Sequence, residues 1–132
     1  MAYPGTVKPR FHWHTDAQFD GFKPGITVWA PLQDCGVDRP SLQTVDLSDD
    51  LVMKHISSFS GFSGLPPLGD DRLYEQCFSN DALAIFDKKF HICNAGNAIL
   101  LSSLTIHATY VPDTVKFHDR IALVMRYSDQ SL

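Results

Sequence analysis

The stretch Ile26-Thr27-Val28-Trp29-Ala30-Pro31-Leu32 decides the fold class. Three β-branched residues and a tryptophan in succession suit a pleated, half-buried strand. Gly21-Phe22-Lys23-Pro24-Gly25 supplies a turn before it, and residues 34–40 a turn after it. Pro31, which has no amide hydrogen, predicts a sheet edge or a bulge at that point. The same strand character recurs on either side. Short strands are expected over residues 7–12, 41–47, 82–86, 90–93, 98–102 and 105–111, with Asn94-Ala95-Gly96-Asn97 and Pro112-Asp113 as punctuation. Residues 120–127 form the last strand, whose run of Ile121, Leu123, Val124 and Met125 predicts burial on both faces. A helix is expected over residues 49–57, starting at Ser48 or Asp49. Seven or so short strands joined by turns imply an all-β sandwich or barrel of the jelly-roll kind.

The chain has 132 residues, enough for a single domain spanning 1–132, and shows neither an internal repeat nor an interdomain linker. Hydrophobic residues make up 44% and charged residues 20%, as in ordinary globular proteins. The net charge of −4 offers nothing to a polyanion, so no nucleic-acid partner is expected. The three cysteines, Cys35, Cys77 and Cys93, are odd in number and form no C-x-x-C pair, which predicts free thiols in a reducing compartment. The first residues have neither the basic nor the apolar segment of a signal peptide. No apolar run approaches the ~18 residues of a membrane span. A cytoplasmic protein without a membrane partner is expected. Residues 57–71 are dominated by Gly, Ser and Pro, with Phe59 and Phe62 among them. They are expected to form a flexible loop, either a plain surface connection or a lid whose phenyl groups cover a site.

The chemistry concentrates in His14-Thr15-Asp16 near the start, and in His107 and Arg120 near the end. In an extended segment residues i and i+2 point to one side, so His14 and Asp16 can reach one ion. Two imidazoles and a carboxylate occupy one face of Fe(II) and leave other positions open, whereas a structural zinc site favours cysteine. His107 is distant in sequence, but a closed antiparallel sandwich can make such segments neighbours. Arg120 heads the final strand, where a guanidinium can hold a dicarboxylate by a two-pronged salt bridge, or serve only as a structural ion-pair partner. Among the remaining candidates, His12 is either a cavity or a surface residue, and Trp13 and Trp29 are packing residues in preference to substrate walls. Arg126 is either a second anion contact or half of a surface pair. His55, His91 and His118 are not expected to be ligands.

His12-Trp13-His14-Thr15-Asp16, followed by Ile26-Thr27-Val28-Trp29-Ala30-Pro31-Leu32-Gln33-Asp34-Cys35-Gly36, resembles the phytanoyl-CoA dioxygenase-like family of Fe(II)/2-oxoglutarate-dependent oxygenases. Gly96-Asn97-Ala98-Ile99-Leu100-Leu101-Ser102-Ser103-Leu104-Thr105-Ile106-His107 is similar to the family's segment bearing the distal histidine. Asp119-Arg120-Ile121-Ala122-Leu123-Val124-Met125-Arg126-Tyr127 is similar to its closing strand. The resemblance implies a double-stranded β-helix, a cupin-like jelly roll. It implies Fe(II) held by His14, Asp16 and His107, and 2-oxoglutarate held by Arg120, with Thr105 and Gln33 as further polar contacts. Dioxygen and a small organic molecule would be the other substrates.

The chain departs from the family at Asn97, where Asp is frequent, and at Ala122, where the Arg-x-Ser pattern has a hydroxyl. It also lacks the Pro-Gly-Ser-His segment, and it begins almost at the metal motif, whereas family members carry a long N-terminal region. The expectation is therefore a jelly roll incomplete at its N-terminal edge: a truncated natural protein, a homodimer whose second copy covers the open sheet edge, or a degraded relative. The alternative is a non-catalytic metal- or ligand-binding module of the same fold.

Overall fold

Alternating burial along β1 (Gly25–Pro31) sets the architecture. Thr27, Trp29 and Pro31 point inward, while Ile26 is exposed on the other side. The computed structural model describes residues 13–19, 24–55, 78 and 83–128. The strand expected over 7–12, the loop expected over 57–71, and His12, Phe59, Phe62 and Cys77 lie outside the described residues.

The other elements are β2 (Ser41–Val45), α1 (Asp49–His55), β3 (Lys88–Phe90), β4 (Ile99–Ser102), β5 (His107–Tyr110), β6 (Ala122–Ser128) and a 3-10 turn at Asp16–Phe19. The strands form two antiparallel three-stranded sheets, ordered β4-β1-β6 and β3-β2-β5. The protein is thus mostly β-sheet. Among the described residues no helix is long and apolar enough to cross a membrane.

The turn before β2 depends on Gly36, which adopts a φ of +107°. A side chain there would strike the His91 carbonyl oxygen and the Cα of Ile92. The Gly36 amide donates to the Arg39 carbonyl and closes the turn at 2.9 Å. Immediately before it, Cys35 and Cys93 exchange both backbone hydrogen bonds at 3.0 Å across an isolated bridge. Both are free, buried thiols, and burial raises the pKa of each.

Two apolar clusters organise the interior. Trp29, Cys35, Leu42, Cys93 and Leu101 join the facing surfaces of the two sheets. Val45 and Ala108, on the far side of β3-β2-β5, pack with Val52 of α1, Trp13, Ala17, Phe78, Leu83, Leu104 and Ile106. That sheet is therefore covered on both sides. Among the described residues the sheet β4-β1-β6 is covered on one side only. Its outer face carries Ile26, Leu100, Leu123, Met125 and Tyr127, each 42–68% exposed. They share a face because Ile26 stands opposite Tyr127, and Val28 opposite both Met125 and Leu100.

Three expectations need correction. Residues 83–86 form a turn and not a strand: the Phe86 amide bonds to the Leu83 carbonyl at 3.1 Å, and the Lys88 ammonium donates to the carbonyls of Leu83 and Phe86. The buried Leu83 that gave this stretch its strand character serves the core from that turn. The last strand is not buried on both faces. Among the described residues it is a sheet edge pairing with β1 alone, with Val124 and Arg126 toward the cavity and Leu123, Met125 and Tyr127 on the exposed side. Pro31 marks neither an edge nor a bulge, because β1 is the central strand of its sheet. It is the last residue of β1, and the Leu32 amide next to it bonds toward β6, to Ile121 at 2.8 Å. Pro31 therefore turns its hydrogen-less nitrogen toward the β4 side, where pairing has already ended at Trp29–Ile99.

These differences in cover predict different sensitivities. Ile106→Ala, in the covered core, should cost about 2–5 kcal/mol of unfolding free energy. Leu100→Ser, on the bare face, should change it by less than about 1 kcal/mol. Urea unfolding of both variants measures the contrast, and equal losses would mean that the outer face is covered.

Candidate metal centre

His14 and His107 exchange reciprocal backbone hydrogen bonds, 3.0 and 2.9 Å long, in an isolated antiparallel bridge alongside β5. Residues directly opposite in such a pair project to the same side. Their rings accordingly lie together, with centroids 4.3 Å apart and planes tilted by 52°. The extended path ends at Thr15. Asp16 then opens the 3-10 turn, anchored where the Ala17 amide bonds the Ser103 carbonyl at 2.8 Å. This places the Asp16 carboxylate beside both rings: Oδ1 lies 3.8 Å from His14 Nε2 and 3.6 Å from His107 Nε2. One ligand atom from each of the three residues falls within 4.8 Å of the others. The three sequence-predicted ligands are therefore brought together.

The hydrogen bonds around them favour a cation. Thr27 of β1 donates to Asp16 Oδ2 at 2.5 Å, so a residue of the facing sheet holds the carboxylate. Oδ1 is buried and has no hydrogen-bond partner among the described residues. His107 Nδ1 lies 2.9 Å from the Thr105 carbonyl oxygen. A carbonyl can only accept, so Nδ1 carries the hydrogen and Nε2 is the nitrogen turned toward Asp16 Oδ1, 3.6 Å away. With Nε2 deprotonated, that nitrogen and Oδ1 are both lone-pair donors that a divalent ion between them could use as ligands. Burial raises the pKa of Asp16, but His107, the Thr27 hydroxyl, Arg126 and His14 outweigh it and hold the carboxyl below its ordinary value. Asp16 is an anion at neutral pH, as a ligand must be.

Arg120 lies across the same cavity. It donates from Nη1 to the Ser41 carbonyl at 2.7 Å and from Nη2 to Thr109 Oγ1 at 3.3 Å. Its guanidinium carbon stands 5.3 Å from the Trp29 ring centre. Burial lowers its pKa, yet an arginine remains protonated. No carboxylate lies within ion-pair distance of it among the described residues. A half-buried guanidinium held by neutral acceptors on a cavity wall keeps its charge available to an anion.

The other predicted residues divide. Trp29 both packs in the core and lines the cavity, so its role is wider than packing. Trp13 packs in the core as expected. Gln33 does not line the cavity. Its Oε1 accepts from the Ile121 amide at 3.0 Å and so fixes the backbone next to Arg120. Thr105 does not line it either, and it serves the site through the backbone carbonyl that orients His107. His91 sits beside Thr44 Oγ1 at 2.9 Å and is not part of the His14–Asp16–His107 cluster. Sequence reasoning missed Thr27 and Thr109. The alternation that turned Trp29 inward was the available signal for Thr27, because residues 27 and 29 share a face.

His14→Ala or His107→Ala should abolish stoichiometric binding of Fe(II) or Mn(II), measured by calorimetry without dioxygen. Retention of one equivalent by either variant would remove that histidine from the ligand set. Thr27→Val keeps the ligands but frees Asp16 Oδ2, and should weaken the metal about 10- to 100-fold. No protein-family model, curated protein or solved structure matches the chain.

Proposed function

We propose that this protein is an Fe(II)/2-oxoglutarate-dependent dioxygenase that hydroxylates a small organic substrate, built on a double-stranded β-helix. One observation carries the proposal. The His14–Asp16–His107 cluster and the half-buried Arg120 line a single cavity of about 240 Å³ between the two sheets. A metal cluster alone would suit many proteins. A metal cluster sharing its cavity with a guanidinium that has no carboxylate partner among the described residues suits a metal-chelating dicarboxylate.

Each residue then has a definite task. His14, Asp16 and His107 would hold iron on one face and leave the remaining positions toward the cavity. Arg120 would take the distal carboxylate of 2-oxoglutarate, while Ser41 and Thr109 keep the guanidinium aimed. The bound iron supplies dioxygen activation: 2-oxoglutarate, dioxygen and a substrate C–H bond are converted to succinate, carbon dioxide and the C–OH product. Trp29, Leu42, Leu101 and Val124 give the cavity apolar walls, which limit water around the reacting centre. Thr27 keeps Asp16 in place throughout, because its hydroxyl holds the oxygen that points away from the histidines.

The test is succinate formation from 2-oxoglutarate by the Fe(II)-loaded protein in air, beside direct 2-oxoglutarate binding without dioxygen. Arg120→Gln should weaken 2-oxoglutarate about 100-fold, the scale of losing a two-pronged charged contact, while stoichiometric metal binding persists. Unchanged 2-oxoglutarate affinity in that variant would remove Arg120 from its assigned role. Metal binding without any 2-oxoglutarate binding in the wild-type protein would leave the non-catalytic metal module as the function.

A further inference from the structure

A second guanidinium lines the same cavity. Arg126 stands opposite Thr27 in the β1–β6 register, on the cavity face of its sheet. Its Nη2 lies 3.6 Å from Asp16 Oδ1, the carboxylate oxygen that faces the two imidazoles. That distance is an ion pair without a hydrogen bond. The Asp16 side chain is 3% exposed, whereas that of Arg126 is 63% exposed. Arg126 therefore reaches in from the open end of the cavity, whereas Arg120 is enclosed and tied to backbone.

A metal ion at the cluster changes what Arg126 meets. The ion would share Asp16 Oδ1, neutralise it, and repel the nearby guanidinium. Arg126 would then be a cation at the mouth of the cavity with its carboxylate partner engaged elsewhere. The charges of the loaded cavity agree. Asp16 and dianionic 2-oxoglutarate bring three negative charges, while a divalent ion, Arg120 and Arg126 bring four positive ones. Among the described residues one positive charge is left over, and it lies on the open side. The rest of the lining is mostly apolar, including Leu101 and Val124.

Resting on the oxygenase assignment above, we propose that Arg126 is the anchor for the primary substrate, and that this substrate is a small aliphatic carboxylic acid. Its carboxylate pairs with Arg126 at the cavity mouth. Its hydrocarbon part lies on the apolar lining, within reach of the metal. A monoanion matches the surplus charge, whereas a neutral amide of the same shape leaves Arg126 desolvated and unpaired.

The experiment uses Mn(II)-loaded full-length protein with saturating 2-oxoglutarate, free of dioxygen. Butyrate, pentanoate and hexanoate are titrated beside their amides. Broadening of the ligands' methyl proton signals by the paramagnetic ion reports binding close to the metal, independently of turnover. The carboxylates should bind at least about 10-fold tighter than the amides. Arg126→Gln should weaken the carboxylates about 10- to 100-fold and erase the preference, while Arg126→Lys should restore part of it. Equal binding of acid and amide, an unaltered preference in Arg126→Gln, or release of 2-oxoglutarate by the added acid would overturn the assignment of Arg126. The 2-oxoglutarate signal in the same tube separates the two levels. If 2-oxoglutarate itself does not bind near Mn(II) in the wild-type protein, the oxygenase assignment falls and the Arg126 assignment falls with it.

Discussion

The carboxylate of Asp16 is the constraint around which the two sheets are arranged. It is a buried anion, and burying an anion is costly unless its oxygens find donors or cations. One oxygen takes the Thr27 hydroxyl, which ties the 3-10 turn to the central strand of the opposite sheet. The other faces two imidazole nitrogens and the guanidinium of Arg126. The same group thus joins the layers mechanically and gathers positive charge at one end of the cavity between them.

Precision at this site comes from backbone rather than from long side chains. The reciprocal bonds between His14 and His107 set the spacing of the two rings before any ion arrives. The Thr105 carbonyl sets which nitrogen of His107 is free. Arg120 is braced by the β2 backbone at Ser41 and by Thr109 of β5, so a residue just before the last strand is held by the opposite sheet. Ligands carried on paired strands, with their rotamers fixed by a surrounding layer of hydrogen bonds, need little rearrangement to bind.

Much of this was legible in the sequence, for local reasons. The period-two pattern of residues 26–31 exposed β1, and the closeness of His14 and Asp16 in sequence pointed to a shared site, although a 3-10 turn and not an extended strand brings the carboxylate to the ring. The partnership of His14 with His107 was not legible, because a contact so distant along the chain is set by strand pairing and not by spacing. Residues 120–127 misled for a related reason: an apolar run reads alike whether it is enclosed or lies on an edge strand with one face on a cavity and the other bare. Leu83 misled because a buried leucine in a turn has the composition of a short strand. Gln33 and Thr105 were placed near the right chemistry with the wrong tasks. Each acts one bond removed from the cavity, Gln33 through the Ile121 amide and Thr105 through its own carbonyl. Backbone partners of that kind leave no trace in residue type.

The two sheets are unequally dressed: β3-β2-β5 has α1 and an apolar cluster behind it, whereas β4-β1-β6 presents Ile26, Leu100, Leu123, Met125 and Tyr127 to water. A patch of this composition on a native protein attracts environment-sensitive fluorophores and hydrophobic chromatography resins. Dye-reported melting curves of this chain will consequently begin from a bright baseline, and its thermal midpoint has to be taken from circular dichroism or calorimetry.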